Sequence, residues 1–283
     1  GCYYKNGNNG MEVSSVPGLI MGCHQPDTFR LIKSGGAEFY PPPDTGFRQV
    51  QKLLPSQVLN LSTGVLTFRN LLCKAPALDY KETIAFLAQL LTTTLKNAFV
   101  DNKHQNITLA LTGGFDSRTL MAALNYCGLP YQTLTFHSPN IRPSDAAIPK
   151  QLAQICGKEH RLIKRNEKNW ENWEKFNQHT SGHSVETDRE YMLYQQFNDL
   201  EGDTDVLLRG GGFEVGRCAY YPWLPAEHID GAGISTIQKG NEAQGKSWNK
   251  WVEWVAQTPE VVLDWRDRYY IEQRLAGWLA CTE

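Results

Sequence analysis

Residues 107–118 read Ile-Thr-Leu-Ala-Leu-Thr-Gly-Gly-Phe-Asp-Ser-Arg, and the fold turns on how this stretch is read. Ile107, Leu109 and Leu111 alternate as in a strand with one buried face. Gly113 and Gly114 break the strand, Asp116 and Ser117 follow, and an apolar-periodic helix then runs to Cys127. Leu120, Leu124 and Cys127 line its inner face, and Gly128 sits where a C-terminal cap belongs. A strand that passes through a tight glycine loop into a helix offers backbone N–H groups and the positive end of the helix dipole to an anion. Asp116 adds a hard carboxylate oxygen suited to magnesium. Thr112 and Ser117 add hydroxyl donors. The segment is neither a Walker loop nor a dinucleotide fingerprint, because Gly-Lys-Ser/Thr and Gly-x-Gly-x-x-Gly are both missing. The plainer alternative is a strand-to-helix turn that uses two glycines for geometry alone.

Working outward, the pattern of strand and helix repeats. Upstream, Asp79 and Glu82 have capping-box spacing, and Ile84, Leu87, Leu91, Leu95 and Ala98 give the helix after them an apolar face. Downstream, Tyr131–Phe136 reads as a strand and residues 139–143 as a loop. Ser144 or Asp145 caps a helix that ends at Cys156 and Gly157. His160–Ile163 is a third strand. Two amphipathic helices are expected between Glu167 and Leu200. A fourth strand, Asp205–Leu208, runs into Arg209-Gly210-Gly211-Gly212. Strands separated by helices predict an α/β fold, a parallel sheet with helices on both faces. Ligands of such sheets gather at the carboxyl ends of the strands. The loops at Thr112, Ser138 and Gly210 all fall there.

The flanks differ. Residues 1–45 read as loops and short strands, and Val58–Phe68 as a hairpin turning at Ser62-Thr63-Gly64. The C-terminal part is helical, with Trp251, Trp254 and Val255 spaced for packing rather than for a ligand platform. The chain has 283 residues, 41% hydrophobic and 20% charged, with a net charge of −2. That composition fits a folded globular chain and gives no global field toward nucleic acid or an anionic membrane. No apolar run reaches the roughly 20 residues of a membrane helix. Seven cysteines, none in a Cys-x-x-Cys pair, point to a reducing cytoplasm rather than to a disulfide framework or a zinc site. The sequon Asn106-Ile107-Thr108 overlaps the first strand and reads as chance.

Thr-Gly-Gly-Phe-Asp-Ser resembles the Ser-Gly-Gly-Leu-Asp-Ser pyrophosphate loop of the N-type ATP pyrophosphatases, and most of all that of the asparagine synthetase group, with β-lactam synthetase and the lasso-peptide cyclases. The resemblance spans roughly residues 45–283. Residues 47–61 resemble the end of the glutaminase domain that precedes the synthetase domain. Phe136 to Asp145, with Lys158-Glu159-His160 after it, is similar to the second segment of the group. Residues 206–221 resemble the third, and Ile271-Glu272-Gln273-Arg274 a later one. The resemblance implies an adenine nucleotide alpha hydrolase-like (Rossmann-like) domain over 76–283, preceded by a glutaminase-like remnant over 1–75. It implies ATP and Mg2+ as cofactors and a ligase reaction. ATP activates a carboxylate as an acyl-adenylate, pyrophosphate leaves, and ammonia or an amine attacks the acyl carbon. It places Leu111, Thr112, Gly113, Gly114, Asp116 and Ser117 around the phosphates and metal, Ser138 at the adenine, and Arg209 and Gly210 beside the nucleotide.

The third segment departs from the group. Its Ser-Gly-Glu-Gly glutamate falls on Gly211, and its Asp-Glu pair becomes Phe213-Glu214. Glu214 is then expected either as the second metal carboxylate or as an ion-pair partner of Arg217 or Arg118. Arg118 and Arg209 either bind phosphate or an anionic acyl group bidentately or form ordinary ion pairs. Glu272 either contacts substrate or pairs structurally with Arg274. The expected partners are a small-molecule or peptide carboxylate, a nitrogen donor, and a glutaminase domain or subunit. Aspartate, a sugar acid and a peptide side chain all remain open as the carboxylate, and an ATP-binding module without catalysis remains the alternative in another class.

Overall fold

The computed structural model describes residues 1–7, 10–20, 40–47, 49–70, 77–99, 106–137, 143–164, 206–213, 215–218, 220–225, 227, 229–258 and 263–279. Two compact units emerge. One is built from Gly1–Ala75 with Glu214–Glu283, the other from Pro76–Lys168 with the strand that ends before Phe213. The expected glutaminase-like 1–75 therefore shares a unit with the C-terminal helices.

In chain order the first unit opens with β1 (Tyr3–Gly7), β2 (Gly10–Ser14) and β3 (Gln51–Lys52), an antiparallel sheet in the order β2-β1-β3. The expected hairpin is present as β4 (Gln57–Leu59) and β5 (Leu66–Phe68), with Val58 opposite Thr67. Much later come α4 (Gly231–Ile237), α5 (Glu242–Gln257) and α6 (Trp265–Arg268), and α6 continues as a π-helix over Tyr269–Leu279. Asn241 and Gln244 form a reciprocal capping box that starts α5. Trp248, Trp251 and Val255 then pack against Leu54, Leu224, Ile234, Trp265 and Tyr269. The tryptophans are core, as their spacing indicates. The helix expected at the end of the chain is there, but its second part is π rather than α.

The second unit contains α1 (Tyr80–Phe99), β6 (Ile107–Ala110), α2 (Phe115–Cys127), β7 (Gln132–His137), α3 (Pro143–Ile155), β8 (His160–Lys164) and β9 (Val206–Leu208). All four strands are parallel, in the order β8-β7-β6-β9. The α/β class and the parallel sheet are as the sequence implies. Because side chains alternate along β6, Ile107, Leu109 and Leu111 turn to one face. There they pack with Leu95 and Phe99 of α1 and Leu120, Met121 and Leu124 of α2. Ala110, Leu134, Phe136, Ile163 and Leu207 make the apolar cluster of the opposite face. The two helices expected over 167–200 lie outside the described residues.

Two local features go beyond or against the sequence pattern. The apolar face of α1 is buried only in its second half. Leu95 and Phe99 are in the core, whereas Ile84 and Leu87 are half exposed and Ala98 is exposed. Helix α3 begins at Pro143, the favoured first position for a residue with no N–H to satisfy. Ser144 and Asp145 therefore stand inside its first turn rather than capping it, which releases the Asp145 carboxylate for another partner.

Candidate functional site

The order β8-β7-β6-β9 places β6 where the direction of strand addition reverses. Successive strands add on one side of it (β7, then β8), and the chain returns to pair β9 on the other. In open α/β sheets that reversal, at the carboxyl ends, opens the crevice in which ligands bind. Two segments leave the sheet there: 111–114 after β6 and Arg209–Gly212 after β9.

They meet at the start of α2. A Cβ built on Gly210 would lie 2.9 Å from the Ser117 nitrogen and 3.0 Å from the Asp116 Cβ. No other residue fits at 210 without moving the helix start, so the glycine at this position has a steric cause. Gly113 is confined less firmly, since a Cβ there would stand 3.2 Å from the Ser144 carbonyl oxygen and 2.8 Å from Asp145 Oδ1, the end of a side chain that can turn away. The loop is thus held between the first turn of α3 and the segment after β9.

Side chains fasten the loop from inside. The Thr112 N–H donates to Ser117 Oγ at 3.0 Å, and the two hydroxyl oxygens lie 3.1 Å apart. The Gly113 N–H donates to Asp145 Oδ1 at 3.1 Å, and the Gly114 N–H to Thr112 Oγ1 at 3.2 Å. Arg118 Nε donates to the Gly114 carbonyl at 3.1 Å, and its guanidinium lies 4.5 Å from the centre of the Phe115 ring. Helix α2 has Gly114 as its N-cap and receives no side-chain cap there.

These contacts show where each expected residue lies and what it touches. Leu111 is fully buried, its N–H bonds the Leu134 carbonyl and its own carbonyl accepts from Thr135 Oγ1. These bonds tie the end of the strand to β7 just before the glycines. Ser117 is buried and stitched to Thr112. Asp116 stands in the first turn of α2, half-buried, and Thr112 is exposed. Arg118 closes over the outside of the loop. Arg209 adjoins the glycine that packs on α2. Ser138 and Glu214 lie outside the described residues, so the expected adenine contact and the second metal carboxylate do as well. Phe213 packs against the core of the sheet unit.

Glu272 belongs to the other unit and is fully buried. Its carboxylate accepts from Trp251 Nε1 at 2.7 Å and from the Ser56 hydroxyl, and lies 3.5 Å from the Arg268 guanidinium. This ion pair is with Arg268, one turn earlier, where the expected one was with Arg274. The Arg274 guanidinium lies over the Tyr220 ring at 4.9 Å. The sequence marks Asp145 as a helix cap and as the end of the segment that resembles the second one of the group, but not its contact with Gly113. Thirty-two residues separate the two, and no local pattern encodes such a contact.

No protein-family model matches the chain, and no curated protein matches it. Among solved structures, the chain is similar to the NMN synthetase of Francisella tularensis, at 14% identity over 60% of this chain and 70% of that one, with a TM-score of 0.35. It is similar to the glutamine-dependent NAD+ synthetase of Acinetobacter baumannii at 15% identity, over 58% of this chain and 31% of that one, with a TM-score of 0.37. The NH3-dependent NAD synthetase of Campylobacter jejuni subsp. jejuni gives 11% identity over 50% of this chain and 61% of that one, with a TM-score of 0.32. The chain thus spans less than two thirds of the second and third of these proteins. Likeness this distant says nothing of activity, and the α/β assignment rests on the sheet itself.

Proposed function

We propose that the chain binds ATP with magnesium at Thr112–Ser117 and uses it to form an amide through an acyl-adenylate. The observation that carries this reading is the closure of two carboxyl-edge segments on one helix start, with Gly210 packed on Asp116 and Ser117. Glycine loops leading into a helix N-terminus suit phosphate oxygens because the amide hydrogens and the helix dipole both point at them.

Asp116, the described carboxylate at this loop, is of the kind that suits a magnesium ion shared with a nucleotide. The described residues contain no group of three or more His, Cys, Asp and Glu that could hold one alone. Magnesium beside a nucleotide asks for less, usually one or two carboxylates with phosphate oxygens and water. Asp116 would supply the first carboxylate and Glu214 the second. Bound there, the ion would supply charge neutralisation on the phosphates. The protein's own groups would position the nucleotide, with the Thr112 hydroxyl and the first amides of α2 as donors and the Gly210 backbone shaping the wall. In the reaction proposed, a carboxylate oxygen attacks the α-phosphorus and the bond to the β-phosphate oxygen breaks, with pyrophosphate taking the electron pair. An amine then attacks the acyl carbon, and AMP leaves with the electron pair of the bond it breaks. Preorganised donors at the departing pyrophosphate are the main catalytic requirement.

The acyl substrate is a small-molecule or peptide carboxylate. Gly211, standing where the group carries a glutamate, favours an acid other than aspartate. The nitrogen comes either from ammonia released by a glutaminase domain or subunit or from a free amine. A second reading, nucleotide binding without catalysis, is favoured by the same third segment, where Phe213 packs into the core in place of an acidic residue. An ATP–pyrophosphate exchange screen across carboxylic acids separates the two. Exchange with one acid class supports the ligase. Tight ATP binding with no exchange for any acid, and no pyrophosphate released on adding ammonia, leaves the binding module.

A further inference from the structure

We propose that Asp145 is a latch for the phosphate loop: its carboxylate holds the Gly113 amide in the free protein and is exchanged for a phosphate oxygen when a nucleotide binds. This rests on the nucleotide-binding reading and adds to it a positioning residue that the loop sequence does not contain.

Three observations carry it. The Gly113 N–H is the middle donor of the loop, and an anionic oxygen from a different helix already accepts it at 3.1 Å. The approach is close, since a Cβ placed at 113 would stand 2.8 Å from Asp145 Oδ1, so a side chain there would press on this carboxylate first. The donors on either side are taken by neutral hydroxyls of the loop itself, Thr112 N–H by Ser117 and Gly114 N–H by Thr112. Asp145 is therefore the one charged acceptor on the three loop amides, and it sits where a loop of this form would receive an anionic ligand. A carboxylate and a phosphate oxygen at one amide compete. Two like charges held at one donor repel.

The latch gives this site a particular metal dependence. Without a divalent cation, the Asp145 charge opposes the phosphates. With one, the carboxylate released from Gly113 has a cation to face. Asp145→Asn keeps an acceptor oxygen of the same shape and removes the charge. It should therefore tighten ATP binding in EDTA about tenfold, and change binding in excess Mg2+ little or weaken it. Asp145→Ala removes the acceptor as well, and should leave the Gly113 amide open to exchange.

The test is calorimetric titration of the full chain and both variants with ATP and with inorganic tripolyphosphate, each in EDTA and in Mg2+. It is joined by amide hydrogen exchange at Gly113, with and without ATP. Support is a narrower gap between the EDTA and Mg2+ affinities in Asp145→Asn, with Gly113 protected in the free protein and unprotected in free Asp145→Ala. The latch is overturned if wild type binds ATP and Asp145→Asn shows the same ratio of the two affinities. It is equally overturned if Gly113 exchanges at one rate in wild type and Asp145→Ala while both melt cooperatively. Absence of ATP binding by wild type in either buffer overturns the nucleotide reading itself, and the latch with it.

Discussion

At the scale of single residues, the candidate site depends on two glycines whose missing side chains let backbones touch. Gly210 is the sharper case, because a methyl group there would strike the first turn of α2 at 2.9 Å. The atoms it meets are the Ser117 nitrogen and the Asp116 backbone carbon and Cβ, none of them the far end of a flexible chain. The helix start or the strand exit must shift by several tenths of an ångström. The sheet core made by Leu109, Leu111, Leu120 and Leu124 is not touched. Gly210→Ala should therefore weaken ATP binding by tenfold or more while costing at most about 1–3 kcal/mol of stability, the range for local overpacking. Titration of the variant with ATP and Mg2+, beside a denaturant melt, checks both halves. Unchanged affinity would mean that the contact of Gly210 with α2 plays no part in binding.

At the scale of elements, the parts legible in the sequence are those whose cause is local. The alternation in β6, the apolar face of α2 and the left-handed Gly128 after it were readable because each lies within a few residues of its own signal. The Asp79 box is another such case, and both of its hydrogen bonds are present, Asp79 N–H to Glu82 at 2.9 Å and Glu82 N–H to Asp79 at 2.8 Å. On α1 the periodicity identifies an apolar stripe but not how far along the helix a partner reaches, and burial sets in only towards Leu95 and Phe99. That difference has a measurable consequence. The first turns of α1 bury little, so the cap is the main local term that holds them. Asp79→Ala should cost about 1 kcal/mol in the opening free energy of those turns. Amide exchange over 80–87 should accelerate while exchange near Leu95 and Phe99 changes little. Uniform acceleration along the helix would mean that α1 opens as one unit, with its exposed half no looser than its buried half. The contacts that shape the loop at 112–114, Asp145 with Gly113 and Gly210 with Asp116, were not legible, since chain distance hides them from any periodic pattern.

At the scale of the whole molecule, the first unit joins residues far apart in the chain around a buried charge. Glu272 and Ser56 are bonded across 216 positions, Trp254 donates to the same Ser56 hydroxyl at 2.9 Å, and Gln273 reaches the Pro42 carbonyl at 2.7 Å. Arg268 is almost fully buried beside Glu272 and also donates to Thr258 Oγ1 at 3.0 Å. Burial pulls its pKa below that of an ordinary guanidinium, and the Glu272 charge pushes it back up. A buried pair of this kind adds little against an apolar replacement, yet removing one partner strands the other in a low-dielectric interior. Glu272→Ala should therefore cost about 3–5 kcal/mol, more than loss of the Trp251 and Ser56 hydrogen bonds alone would give. Replacing both partners, Arg268→Met with Glu272→Leu, should recover much of that loss. The pattern also separates the two readings of Glu272. If it is structural, the double variant regains stability and ATP-dependent exchange together. If it touches the acyl substrate, stability returns and exchange does not. Urea unfolding of the single and double variants beside the exchange assay measures both, and a single variant as stable as wild type would refute the buried pair as a structural element.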